Sequence, residues 1–414
     1  MSTALHPDSF AALLLCSTMA LPRDEPDTAK PLTLSNWRSL IEKLGPSPWQ
    51  GPGDLLGESA STIEHALDIK PESAERIARL LDRGGQIAIE LDRLAGYGIW
   101  VVTESDEAYP IALGERLRHS APPVLFGAGP ANLLSQDAIA LVGSRDLEPA
   151  GEAFARVVGS RCAADGVTVV SGGAKGADRV SMIGALEAGG TAVGVLADSL
   201  QRTLRDSETA QFIRDQHLTL ITPFDPAAGF TVGNAMARNK LIYGLARAAV
   251  VVSSAAESGG TWAGASENLK HTWTPLYVRN DPDAPAGNHL LIQHGGLPLS
   301  LDDLPETGRL LDGLLDRSAT ARSVNGTRTR QASPDTQTVS LPDNPSPPPD
   351  LFELVWPALA SLLLEPQTVQ SVADTLVLEK SQARKWLQRA VDGGRAECLA
   401  GRPPRYRQAP KRLF

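Results

Sequence analysis

Over residues 1–93 the apolar positions recur at helical spacing. In Ile63–Arg93 they fall at Ala66, Leu67 and Ile69, then at Ile77, Leu80, Leu81, Ile87, Ile89 and Leu91. Pro71-Glu72-Ser73 has the composition of a helix start. The apolar run Ala11–Cys16 is short and has no basic segment before it, so it reads as part of a first helix rather than as a signal sequence. These patterns predict a small helical, SAM-like domain over 1–93. Such domains dock nucleic acid or protein, or simply cap the domain that follows.

The period then changes. Between 94 and 310, short runs rich in β-branched residues alternate with helical stretches. The strand candidates are Gly98–Thr103, Val124–Gly127, Ala138–Val142, Val167–Val170, Thr191–Leu196, Leu218–Ile221, Ala249–Val252 and Pro275–Val278. Helices are predicted over Pro149–Asp165, Asp178–Ala188 and Ala235–Ala246, with Gly166 and Gly189-Gly190 where helix C-terminal glycines belong. Strand–helix alternation of this kind predicts an α/β, Rossmann-like, doubly wound and mainly parallel sheet.

From 311 to 349 polar residues and proline dominate, ending in Pro345-Ser346-Pro347-Pro348-Pro349, the composition of a flexible linker. Residues 350–414 predict a winged-helix-like domain. One helix covers Leu351–Leu364 and is broken at Pro366. A second covers Val369–Leu376, capped by Thr368. A third, capped by Ser381, carries Arg384, Lys385, Trp386 and Arg389, and strands follow near Ala396–Leu399 and Arg405–Arg407.

Composition narrows the class. A chain of 414 residues, 42% hydrophobic and 21% charged, has the balance of a globular protein of two or three domains. Cys16, Cys162 and Cys398 lie far apart, with neither metal-ligand spacing nor a disulfide framework, which fits a reducing cytoplasmic compartment. No apolar run approaches a membrane span. The net charge of −9 argues against a generally nucleic-acid-coated surface. Residues 351–414, however, hold ten Lys/Arg against six Asp/Glu, a local balance of +4. Any nucleic-acid site is therefore a local patch.

Four segments carry candidate chemistry. In Val142-Gly143-Ser144-Arg145, a strand delivers a glycine turn to a helix start near Pro149, where backbone N–H groups receive a phosphate and Arg145 adds a charge-assisted contact; the alternative is a plain strand-to-helix turn. Ser171-Gly172-Gly173-Ala174-Lys175-Gly176-Ala177-Asp178 repeats the pattern, with Lys175 as a phosphate partner and Asp178 as a helix cap; its spacing is not that of a Walker A loop. Two such loops on neighbouring strand ends suggest a shared anion crevice. In Arg238-Asn239-Lys240, positive charge at the expected start of a helix is unfavourable unless an anion offsets it; a solvated basic face is the equal alternative. Ser258-Gly259-Gly260-Thr261-Trp262 supplies another glycine turn after a strand, and its tryptophan either stacks on a base or joins the core. No acid–base or metal constellation stands out, and no cofactor is implied.

Taken in order, these motifs resemble the DprA/Smf family of DNA-processing proteins. Val142–Arg145, the Ser171–Asp178 loop with Gly184-Ala185-Leu186, Arg238–Lys240, Ser258–Gly260 and Gly287-Asn288-His289-Leu290-Leu291-Ile292 follow the family's sequence of motifs. Tyr109-Pro110 and Pro122–Phe126 match its entry into the Rossmann-like domain. The resemblance covers residues 95–300 most strongly. It implies binding of single-stranded DNA through phosphate contacts, homodimerisation, and hand-off to a RecA-type recombinase. By position, Arg145, Lys175, Arg238 and Lys240 match its basic pocket, and Gly143, Ser144, Gly172 and Gly173 its backbone cradle. The chain departs from the pattern at Met182, where the family has histidine, at Asn234-Ala235, near its Phe-Pro, and at Lys240, its last arginine. Lysine keeps the charge there but loses bidentate geometry.

Two other function classes fit part of this pattern. Glu257–Glu267 faintly resembles the glycine-rich loop of nucleoside-monophosphate phosphoribohydrolases, with Glu267 in the place of the acid that acts on the glycosidic bond. A sensor or adaptor would use the same pocket for a nucleotide signal.

Overall fold

The computed structural model describes residues 5–21, 28–331, 351–375, 380–399 and 404–409. The chain divides into two units, Met1–Ala332 and Ser333–Phe414.

Five helices open the first unit: α1 (Pro7–Cys16), α2 (Leu34–Leu44), α3 (Ala60–Leu67), α4 (Pro71–Leu81) and α5 (Gly84–Gly96). Pro71 is the first residue of α4, where its missing N–H costs nothing. The α/β part follows as β1 (Ile99–Thr103), α6 (Ile111–Leu117), β2 (Val124–Ala128), β3 (Ala138–Gly143), α7 (Pro149–Ala164), β4 (Thr168–Ser171), α8 (Ala177–Glu187), β5 (Ala192–Val195), α9 (Leu200–Thr203), α10 (Ser207–Arg214) and β6 (Leu218–Thr222). It continues with α11 (Val232–Leu245), β7 (Ala248–Ser253), α12 (Gly259–His271), β8 (Leu276–Arg279), α13 (Ala286–Gln293), β9 (Leu297–Leu299) and α14 (Leu310–Gln331).

The nine strands form one sheet in the order β1-β2-β6-β5-β4-β3-β7-β8-β9. From β6 to β9 all neighbours are parallel, while β1 and β2 add an antiparallel edge. The expected doubly wound α/β sheet is present. The parallel strands read as continuous apolar runs because helices cover both faces: every residue of β7 is buried, as are the first five of β3. In β3, Ala140 pairs with Val170 of β4 on one side and Ala249 of β7 on the other.

The N-terminal helices share a core with this sheet. Leu13, Leu14 and Trp37 belong to the same buried cluster as Ile99, Phe126 and Val250. Polar clasps reinforce the contact: the Trp37 indole N–H donates to Glu104 at 2.7 Å and the Ser9 hydroxyl to Asp106 at 2.6 Å.

Three elements differ from the sequence expectation. Strand β9 was too short to register. Helix α11 begins at Val232 instead of Ala235, because the Thr231 side chain accepts the Asn234 N–H at 3.0 Å and caps it there. Residues expected to open a linker are helical: Leu311 and Leu314 are buried near the start of α14, an apolar stripe hidden within polar composition. Among the described residues, no helix is long and apolar enough to cross a membrane.

The second unit contains α15 (Leu351–Leu362), β10 (Gln367–Thr368), α16 (Val369–Thr375), α17 (Lys380–Asp392), β11 (Ala396–Leu399) and β12 (Arg405–Gln408), its strands in the order β10-β12-β11. Thr368 accepts the Ser371 N–H at 3.1 Å, as the expected cap of α16. Leu376 and the side chain of Ser381 lie outside the described residues, as do Pro345–Pro349.

Candidate anion site

In a doubly wound sheet, successive crossovers leave opposite ways from one central strand, which opens a crevice at its C-terminal end. That strand here is β3, flanked by β4 and β7. A cavity of about 390 Å³ lies there, lined by the end of β3 and the chain after it, the loop between β4 and α8, one side of α11 and the turn into α12.

The first wall is Gly143-Ser144-Arg145. The Ser144 N–H donates to the Ser253 carbonyl at 2.8 Å, tying the end of β3 to that of β7. Arg145 is exposed, and its guanidinium carbon lies 5.3 Å from the centroid of the Phe230 ring.

The loop after β4 stands behind that wall. Ser171 is buried and donates to the Leu141 carbonyl at 2.5 Å. Gly176 has φ +78°, and a β-carbon on it would overlap the carbonyl oxygens of Ser144 and Arg145. The two glycine turns pack so closely that only glycine fits between them. The Ala177 N–H donates to the Ser144 carbonyl at 3.1 Å and completes the junction.

Arg238 lines the cavity from α11 with 6% of its surface exposed. Its Nη2 donates to the Gly172 carbonyl at 3.0 Å, and its buried Nε has no hydrogen-bond partner. A β-carbon on Gly172 would overlap this guanidinium. Burial lowers the Arg238 pKa, Asp178 opposes that shift, and Arg145 adds to it. Asp178, equally buried, is raised by burial; Arg238, the Ala174 and Gly143 N–H groups and the Ser171 hydroxyl draw it back down. The acid thus sits in the first turn of α8 and fills that helix terminus from within.

The terminus of α12 has no such filling. Ser258, Gly259, Gly260 and Thr261 line the cavity; the Ser258 side chain caps nothing, and no acid lies in the first turn. Its N–H groups and the positive end of its dipole are open to an anion. The Asn239 side chain donates to the Gly260 carbonyl at 3.2 Å and fixes this turn to α11.

Of the sequence candidates, Gly143, Ser144, Arg145, Arg238, Asn239, Ser258 and Gly259 line one cavity. Ser171, Gly172 and Gly173 shape the loop behind it. Lys175 and Lys240 are not among the lining residues. Lys175 is exposed on its loop, while Lys240 is half-buried near Glu267, whose charge opposes the lowering of its pKa by burial. Because α11 starts earlier than expected, Arg238 and Lys240 lie well inside the helix, and the argument from charge at a helix start does not apply to them. Two residues apart on a helix, they point to nearly opposite sides. Trp262 packs edge-on against His294, with centroids 5.7 Å apart, and borders the core. Asp178, read from the sequence as a helix cap, also lines the cavity, as do Asp146, Met236 and Tyr243, which no sequence motif singled out.

A deep cation with an unpartnered N–H, an unfilled helix terminus and an outer arginine gather at the switch point of a doubly wound, Rossmann-like sheet, an arrangement with the chemistry to receive an anion. Residues 100–305 match the model of the DNA recombination-mediator protein A family. The chain is 33% identical over 246 residues to a putative DNA processing protein DprA of Mycobacterium tuberculosis, covering 55% of this chain and 61% of that one. It is 32% identical over 140 residues to protein Smf of Escherichia coli, covering 33% of this chain and 37% of the relative. Among solved structures, that of DprA from Streptococcus pneumoniae aligns with a TM-score of 0.47 at 21% identity, covering 65% of this chain and 95% of that one. Over its central domain the chain belongs to the DprA/Smf family of DNA-processing proteins. The match spans about three fifths of the length of the Mycobacterium relative.

Proposed function

We propose that this domain binds single-stranded DNA by seating backbone phosphate in the switch-point cavity. The observation that carries the reading is Arg238: a buried guanidinium whose Nε is unpartnered lines the same cavity as the open terminus of α12. A buried donor without a partner costs free energy, and a phosphate oxygen removes that cost. Arg145 at the rim and Lys175 on the adjoining loop extend the positive field along a strand. The family resemblance carries the proposal further, to homodimers that pass the bound strand to a RecA-type recombinase in the cytoplasm, acting as a binding protein without turnover. The order helix, strand, helix, helix, strand, strand in the second unit supports reading it as a winged helix. Glu267 does not line the cavity, so the phosphoribohydrolase alternative lacks its acid at the site.

Titration of the purified protein with a labelled oligonucleotide tests this. Neutralising about three phosphates on a single strand gives a log–log salt slope of about −2, so a fourfold rise in salt weakens binding about 16-fold. Arg145→Glu is expected to abolish measurable binding. Equal affinity for parent and variant, or no binding at low salt, refutes the proposal.

A further inference from the structure

A phosphate cavity by itself does not distinguish one strand from two. Beside this one stand three apolar side chains: Phe230 is 46% exposed, Val232 72% and Met236 39%. Val232 and Met236 are four apart on α11 and share a face. Phe230 precedes the Thr231 cap by one residue, and Met236 is also part of the cavity lining. The patch is therefore continuous with the anion site. Arg145 spans the two, since it lines the cavity while its guanidinium lies over the Phe230 ring at 5.3 Å.

We infer that Phe230, braced by Arg145 and flanked by Val232 and Met236, is a stacking platform for an unpaired nucleobase next to the phosphate that Arg238 and the α12 terminus hold. The inference rests on the reading of the cavity as a DNA-phosphate site and supplies what that reading lacks, a reason to prefer a single strand. The guanidinium over one side of the ring holds it in place and draws charge from its π-system, leaving the other side to a base. Base–aromatic stacking tolerates any sequence, because every base has a flat face. In a duplex those faces are stacked within the helix and unavailable. A nucleotide whose phosphate lies in the cavity has its base close by, and the nearest exposed apolar surface on α11 is this patch.

Fluorescence anisotropy separates the platform from the phosphate site. Three probes of equal length are used, a thymine oligonucleotide, an abasic oligonucleotide and a duplex, against the full-length parent, Phe230→Ala, Phe230→Trp and Val232→Ser. The parent should bind the thymine strand about tenfold more tightly than the abasic one. Phe230→Ala should close that gap, bringing thymine-strand affinity down to its own abasic affinity. Phe230→Trp should keep the gap, and Val232→Ser should narrow it. Equal binding of the thymine and abasic strands by the parent, or an undiminished gap in Phe230→Ala, overturns the platform while the phosphate site stands. A parent that binds no probe overturns both.

Discussion

At the scale of single residues, the proposed phosphate site depends most on Arg238. Its burial is unfavourable in the free protein, where one carbonyl and the field of Asp178 answer it. Replacing it with Met also takes from the buried Asp178 the cation that draws its pKa down. Arg238→Met is therefore expected to fold with a lower melting temperature than the parent by calorimetry. It should bind single strands about 10- to 100-fold more weakly, the worth of one charge-assisted hydrogen bond. Unchanged affinity would remove Arg238 from the site. Gly172→Ala should act through the same group, because its methyl displaces the guanidinium. The Arg238-Asn239-Lys240 triplet shows how far residue type alone reaches. All three were legible as candidates, yet helical rotation points Arg238 into the cavity, holds Asn239 at its rim and turns Lys240 toward Glu267.

At the scale of elements, the shape of the site depends on where strands stop. The end of β7 is held by Asn288 of α13, which is fully buried. Its carbonyl accepts the Ser254 N–H at 2.9 Å, and its amide donates to the Val252 and Arg279 carbonyls at 3.2 and 2.9 Å. Asn288→Ala strands three backbone groups, and urea denaturation should show a loss of about 3 kcal/mol. A loss under 1 kcal/mol would mean that the turn is held by other contacts. Strand cores and glycine turns were readable because burial on two faces leaves an unbroken apolar run. The start of α11 and the helical nature of α14 were not, because a cap hydrogen bond and a thin apolar stripe are decided by a few atoms.

At the scale of the molecule, every residue lining the cavity lies in the first unit. A protein ending at Ala332 is expected to melt as that unit does in the full chain and to bind single strands within about threefold of it. A tenfold loss would assign part of the affinity to the second unit. Acid should weaken the first unit at fixed places. Arg247 and Arg309 hold the Asp137 carboxyl below the usual range, and Arg279 does so for Asp281. A depressed pKa means stability that is present above the unfolded value and lost as pH falls through it. Melting temperature should therefore drop below about pH 4, and Asp137→Asn should flatten that decline.

The sequence by itself determined the fold class, the order of the motifs and seven of the residues around the cavity, because strand burial and glycine turns are written in local pattern. Only the tertiary structure decided which cations share the site. Arg238 and Ser258 are twenty positions apart, and what brings them to one crevice is the reversal of strand order at β3, together with the rotation of α11. Neither the depth of Arg238 nor the exposure of Phe230 beside Arg145 has a local signature, since both are set by what the rest of the chain leaves uncovered.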